Sequence, residues 1–190
     1  MIAENLAVVR ERISQAIQKS GREPDSARLI TVSKQISVDR IEEARAAGAV
    51  VFGENKVQEA IPKIEQMGPE GIFWHFIGHL QKNKVKFLDE RFDLIHSVDS
   101  LGLAEKIAKH CQSKNRVQRI LLQVNVSGEA AKFGMEPKEL EKQMAGFSQL
   151  QGIQVKGLMT IPPFDSDAEN TRRHFSRLRE LRDQIEKQNG

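Results

Sequence analysis

The chain has 190 residues, a length that suits one domain with a substantial core. Hydrophobic residues make up 39% and charged residues 29%, the balance of an ordinary ordered protein, and a formal net charge of +3 is too small to argue for nucleic acid. A single cysteine, Cys111, excludes an internal disulfide and a cysteine-based zinc site, no stretch approaches the ~18 apolar residues of a membrane span, and the N-terminus lacks the pattern of a secretory signal, so a cytoplasmic protein is expected.

The first predicted element is a helix, with Leu6, Val9, Ile13, Ala16 and Ile17 on one stripe and Gly21 and Pro24 closing it. "RLITV" (28–32) then reads as a buried strand, and "SVDRIEEARAAG" as a helix capped by Ser37 and ended by Gly48. The alternation continues. "AVVFG" (49–53) is a strand followed by the helix "ENKVQEAIPKIEQMG", and "IFWHFIG" (72–78) is a strand followed by the short helix "LQKNKVKFL". "FDLIHSV" and "SLGLAEKIAKHCQSK" form the fourth pair, and "RILLQVNVS" (119–127) with "EPKELEKQMAGFSQL" the fifth. "IQVKGLMT" is the sixth strand. A long last helix follows, with Ser166 and Glu169 as its capping box and Phe175, Leu178, Leu181 and Ile185 on one face.

Strands alternating with helices imply an α/β fold with a parallel sheet and right-handed crossovers. Two architectures compete, an open doubly wound sheet and a (β/α)8 barrel. The absence of G-x-G-x-x-G and of G-x-x-x-x-G-K-[ST] weakens the nucleotide-binding open sheets, whereas a barrel calls for ~250 residues and eight strands.

In either fold the ligand site lies at the C-terminal strand ends. There the sequence places Lys34, Asn55, His75 and His79, His96, Asn125, and Met159 with Thr160. His75 and His96, inside apolar runs, read as core or loop histidines. The histidines lack metal-ligand spacing, Glu54 is the only carboxylate close to a strand core, and no nucleophile elbow exists. Lysine is left as the candidate reactive group, because desolvation favours the neutral amine and a neutral amine condenses with a carbonyl. Lys34 is equally readable as an ordinary loop residue. The basic runs "QKNKVKF" and "TRRHFSRLRELRDQ" read as solvated helix faces, and no aromatic strand suited to single-stranded RNA is present.

The segments "TVSKQIS", "FGENKVQEA", "WHFIGHLQKNKVK", "IHSVDS", "LLQVNVSGEAAKFGM" and "VKGLMTIPP", in this order across residues 29 to 164, closely resemble the pyridoxal phosphate homeostasis protein family (YggS/PROSC type). The resemblance implies a (β/α)8 TIM-type barrel like the N-terminal domain of alanine racemase, binding pyridoxal 5′-phosphate (PLP) through a Schiff base. By position, Lys34 matches the family's PLP lysine, Asn55 and Met159 match residues lining the cofactor pocket, and His79 and Asn125 are further cofactor-binding candidates. Family members continue past the last helix with a segment like S-M-G-M-S-x-D and then V-R-I-G, which supply strands seven and eight and phosphate-binding groups. Residues 1–190 are therefore expected to form a single PLP-binding barrel domain, incomplete at its C-terminus, with six of eight strands.

The resemblance implies a monomeric carrier that holds PLP without turnover in vitamin B6 and amino-acid balance, with PLP-dependent apoenzymes or a regulatory protein as partners. The alternative is a PLP-dependent racemase or decarboxylase. Against it, the chain has no tyrosine to act as the second base, and Cys111 is expected mid-helix, away from the strand ends. A third reading, an interaction module that senses PLP and docks through its basic last helix, stays open.

Overall fold

The structure, a computed structural model, describes residues 1–68, 70–129, 131–164 and 167–189. Six strands follow one another in chain order across the sheet, β1 to β6, and the pairs β1–β2, β4–β5 and β5–β6 are parallel. Consecutive order decides between the two architectures: a doubly wound sheet reverses its strand order at a switch point, and a (β/α)8 fold does not. Among the described residues no helix is long and apolar enough to cross a membrane. The chain divides into two compact units, Met1–His75 and Phe76–Gly190.

The first unit holds α1 (Ile2–Lys19), β1 (Thr31–Val32), α2 (Val38–Ala46), β2 (Val51–Glu54), α3 (Val57–Met67) and all but the last residue of β3 (Phe73–Phe76). β2 is buried at all four positions, the pattern of a parallel strand covered on both faces. Its Phe52 packs on Trp74 of β3 at a centroid distance of 5.5 Å, and Ile41, Val57 and Ala60 close the core from the helices. Of the stripe expected on α1, Leu6 and Ile17 are buried, while Val9 stays exposed. Gly48 ends α2 at φ +83°, as its position predicts, and Arg10 of α1 donates to the carbonyls of Ala47 (2.9 Å) and Gly48 (2.6 Å). A guanidinium on the acceptors left open at the end of a helix also opposes the negative end of its dipole.

The second unit holds a 3-10 helix (Lys82–Phe87), β4 (Phe92–Val98), α4 (Leu101–Gln112), β5 (Gln118–Gln123), α5 (Pro137–Gln149), β6 (Ile153–Met159) and α6 (Ala168–Asn189). Phe76 and Phe92 meet edge to face at 5.9 Å, and Ile95, Ile107, Ile120, Leu122 and Leu140 are fully buried. Between β5 and β6 the register skips one residue, Ile120 facing Val155 and Leu121 facing Gly157, and Gly157 takes φ +148° at that bulge.

Several elements differ from the sequence reading. β1 keeps only the last two of its five expected residues, since it lies at the end of the strand order and pairs only where β2 runs beside it. β5 stops at Gln123, because Val124 bridges Met135 and the chain then turns into a loop. The short helix after β3 is 3-10, with Val85 buried and Lys82 and Lys86 exposed. Ser37 occupies the N-cap of α2 without a side-chain bond, whereas Ser100 caps α4 through the Leu103 N–H at 3.3 Å. Cys111 lies buried in the last turn of α4, and burial pushes its thiol pKa up. On α6, Leu181 and Ile185 are buried and Phe175 is exposed. Ser166 lies outside the described residues, and the Glu169 N–H donates to the carboxylate of Asp167 at 2.8 Å.

Candidate functional site at the strand ends

In the first unit, Lys34 follows Ser33 directly off β1. The register Thr31 to Phe52 and Val32 to Gly53 continues through the Ser33 N–H, which donates to the Gly53 carbonyl at 3.0 Å. Beyond Ser33 the chain leaves the strand in a turn, so Lys34 and Asn55 both lie just past the ends of the neighbouring strands β1 and β2. The Lys34 side chain is exposed, so the desolvation invoked from sequence is not provided by these residues. Asn55 is half-buried, and its Oδ1 is a buried acceptor without a hydrogen-bond partner. An orphaned acceptor of this kind costs on the order of 1–3 kcal/mol unless something donates to it.

Beneath this pair lies a polar cluster that the sequence reading missed. Glu54 is fully buried, and its Oε1 accepts from Ser33 Oγ at 2.7 Å and from Lys63 Nζ at 2.8 Å. Lys63 Nζ also donates to the Ser33 carbonyl at 2.8 Å. The same carbonyl accepts from the Ile36 N–H at 3.1 Å, closing a turn in which Lys34 and Gln35 are the central residues and Gln35 stands at φ +60°. The signal for Lys63 was present in the sequence. It falls on the buried stripe of α3, three residues after Ala60 and four before Met67, where an unpaired ammonium would be strongly disfavoured.

In the second unit, the Asn125 side chain is fully engaged by its own loop. Its Nδ2 donates to the carbonyls of Glu129 (2.9 Å) and Lys132 (3.4 Å), and its Oδ1 accepts from Ser127 Oγ (2.9 Å) and the Gly128 N–H (3.1 Å). The loop returns to the sheet where Met135 N–H donates to Gln123 and Asn125 N–H donates to Met135, both at 2.9 Å. Gly134 makes this approach possible, since a Cβ there would lie 2.7 Å from the Asn125 nitrogen.

Met159 ends β6 half-buried; its carbonyl accepts from Val124 N–H at 2.8 Å, and Thr160 Oγ1 donates to the Val124 carbonyl at 2.7 Å. His79 is exposed, stacks on Phe133 at 4.2 Å between centroids, and sets Nδ1 3.4 Å from Asp99 Oδ2. Phe133 and Asp99 also went unnoticed in the sequence reading; both are packing partners of His79 and carry no spacing signal.

The remaining histidines at strand ends behave as core groups. His96 is buried, and half-buried His75 has its pKa lowered to about 4 by burial and then by the nearby Arg28 charge. Among the described residues no cluster of three or more His, Cys, Asp or Glu is grouped to hold a metal. The structure thus places Lys34 and Asn55 just past the ends of β1 and β2 in the first unit, and ties Met159, Asn125 and Phe133, the ring partner of His79, to one segment in the second.

The family model described as alanine racemase, N-terminal domain, matches residues 4–190. A pyridoxal phosphate homeostasis protein of Aquifex aeolicus is 42% identical over 185 residues, covering 97% of this chain and 81% of that protein. The chain belongs to the pyridoxal phosphate homeostasis protein family. Another member, from Pseudomonas aeruginosa, is 41% identical over 182 residues, covering 95% of this chain and 78% of its own length. Among solved structures, PipY of Synechococcus elongatus with PLP bound superimposes with a TM-score of 0.85 at 37% identity, over 99% of this chain and 83% of that one. An alanine racemase of Clostridium difficile superimposes at 0.73 with 15% identity, over 93% of this chain and 47% of that one, a likeness of fold alone.

Proposed function

We propose that this protein binds PLP as a Schiff base on Lys34 and serves in PLP (vitamin B6) and amino-acid homeostasis, holding the cofactor without turning over a substrate. The observation that carries the reading is the pair Lys34 and Asn55 just past the ends of neighbouring strands: an exposed amine on a hydrogen-bonded turn, and a buried amide oxygen that lacks a donor. These residues fit the cofactor. The aldehyde of PLP supplies the chemistry, since an amine and an aldehyde condense with loss of one water and no change of oxidation state. Lys34 contributes the amine and Asn55 an acceptor for a donor on the ligand. His79 and Asn125 act through the segment they hold, His79 by stacking on Phe133 and Asn125 by organising residues 125–129.

Further support comes from the relatives, which bear the name of homeostasis proteins at 42% and 41% identity, and from PipY, whose structure was solved with PLP. The alanine racemase that shares the fold is distant, at 15% identity. A single barrel domain over residues 1–190, a cytoplasmic setting, a monomeric state and delivery of PLP to apoenzymes complete the proposal.

The test is the absorbance spectrum of purified protein with added PLP, followed by borohydride reduction and peptide mapping. The expected result is a visible band in the wild type, the pyridoxyl mass on the Lys34 peptide, and loss of both in Lys34→Ala with the fold retained. A band that survives Lys34→Ala, or a label scattered over surface lysines, refutes the assignment.

A further inference from the structure

Lys63 and Glu54 pose a problem that the fold does not explain. Glu54 is fully buried and the Lys63 side chain is 14% exposed, with 2.8 Å between Nζ and Oε1. Removing both charges from water is costly, and well-packed apolar residues of similar size often stabilise a protein as well or better. The pair therefore calls for a use, and its geometry points to one.

Both members converge on Ser33, the residue before Lys34. Glu54 accepts from the Ser33 hydroxyl and Lys63 donates to the Ser33 carbonyl, while the Ser33 N–H is already held by Gly53. Every polar group of Ser33 is thus engaged. The carbonyl held by Lys63 belongs to the peptide unit that joins Ser33 to Lys34, so gripping it sets the plane of that peptide and the direction in which the Lys34 side chain leaves the backbone. The same carbonyl accepts from the Ile36 N–H and so closes the turn across Gln35, whose positive φ is unfavourable for a residue with a side chain.

We propose that Lys63 and Glu54 are positioning residues for Lys34: the buried ion pair clamps Ser33 and thereby holds the root of the Lys34 side chain in one orientation for capture of an aldehyde. The proposal rests on the reading that Lys34 carries PLP, and adds that the carrier lysine is pre-oriented by a second lysine without chemistry of its own. An amine held in one direction loses less conformational freedom when it captures its partner, so the clamp acts on the rate and yield of capture.

The test compares wild type, Lys63→Met, Lys63→Arg and the double variant Glu54→Gln/Lys63→Met. Three quantities are measured: the thermal midpoint, hydrogen exchange of the Ile36 amide without cofactor, and the rate of PLP capture at Lys34 by absorbance with borohydride mapping. The double variant is decisive, because it removes the unpaired buried charge and recovers stability without restoring the grip on the Ser33 carbonyl. The expected result is a double variant near the wild-type midpoint whose capture is slower and whose Ile36 exchange is faster, each by about tenfold, the scale of one charge-assisted hydrogen bond. Lys63→Arg, which keeps a donor, restores most of both.

A folded double variant that captures PLP at Lys34 and protects Ile36 within about twofold of wild type overturns the proposal, as that is less than one weak hydrogen bond. Where the lysine variants fail to fold, Ser33→Ala decides: it removes only the hydroxyl bond to Glu54, about a threefold slowing is expected, and an unchanged rate overturns the clamp. If wild type takes no label at Lys34, the reading of the site falls. In that case Ile36 exchange still reports whether Lys63 grips the turn.

Discussion

Replacing Gly134 by alanine drives a methyl group into backbone that cannot yield. The added Cβ would lie 2.7 Å from the Asn125 nitrogen, 2.8 Å from the Val124 carbonyl carbon and 3.2 Å from the Gln123 oxygen, at φ +121°. The backbone conformation itself costs a residue with a side chain about 1–3 kcal/mol. Relief of the overlap pulls residues 133–135 off β5 and breaks the bonds from Met135 N–H to Gln123 and from Asn125 N–H to Met135. Each such bond contributes about 1 kcal/mol. The sum, about 3–5 kcal/mol, corresponds to a fall of roughly 10 °C in the melting temperature of a chain this size. Gly128→Ala is the control. Nothing lies within 4 Å of its Cβ, so at φ +76° only the left-handed backbone is penalised, about 1 kcal/mol. Thermal unfolding and hydrogen exchange of the Asn125 and Met135 amides measure both variants. A Gly134→Ala protein that melts no lower than Gly128→Ala, with those two amides still protected, would show that the close approach of loop and strand is wrong.

The other predictions concern charge and packing. Lys63→Met leaves the Glu54 carboxylate buried beside Ser33 without its cation and should destabilise the fold by about 3 kcal/mol, while Glu54→Gln/Lys63→Met recovers most of it; urea unfolding of the four corners of the cycle gives the coupling, and an additive cycle contradicts the ion pair. His75, with its folded pKa lowered to about 4, favours the neutral ring in the folded state, so its contribution is complete above the ordinary histidine pKa near 6.5 and is lost as pH falls from there towards 4. For a half-buried ring, screening reduces this to about 1 kcal/mol, and wild type should lose that much more stability than His75→Gln between pH 7 and pH 5; parallel slopes would deny the shift. Phe133→Ala removes the ring stacked on His79 at 4.2 Å and should move the His79 ring-proton resonances, which unchanged chemical shifts would rule out. Lys34→Ala, with an exposed side chain, should leave the unfolding free energy measured in urea within about 0.5 kcal/mol of wild type, in contrast to its effect on PLP capture.

Much of this protein was legible in one dimension. Helix and strand alternate because apolar residues recur at 3.6 along α3 and run unbroken from Ala49 to Phe52 into β2, and both patterns are local. Gly48 ends a helix because a left-handed residue is needed there, and glycine meets that need at no steric cost. The positions of Lys34 and Asn55 just past the ends of their strands also followed from order along the chain.

Tertiary structure decided what those residues are engaged with. Sequence could not show that Asn125 uses all its hydrogen-bonding positions within its own loop, nor that Lys34 is exposed instead of desolvated. It could not pair Lys63 with Glu54, nine residues back, or bring both to Ser33, thirty residues back from Lys63. Element type is set by neighbours within a turn or two of the chain. The partner of a buried polar group is set by which segments the parallel register lays side by side, and that register is a property of the folded chain.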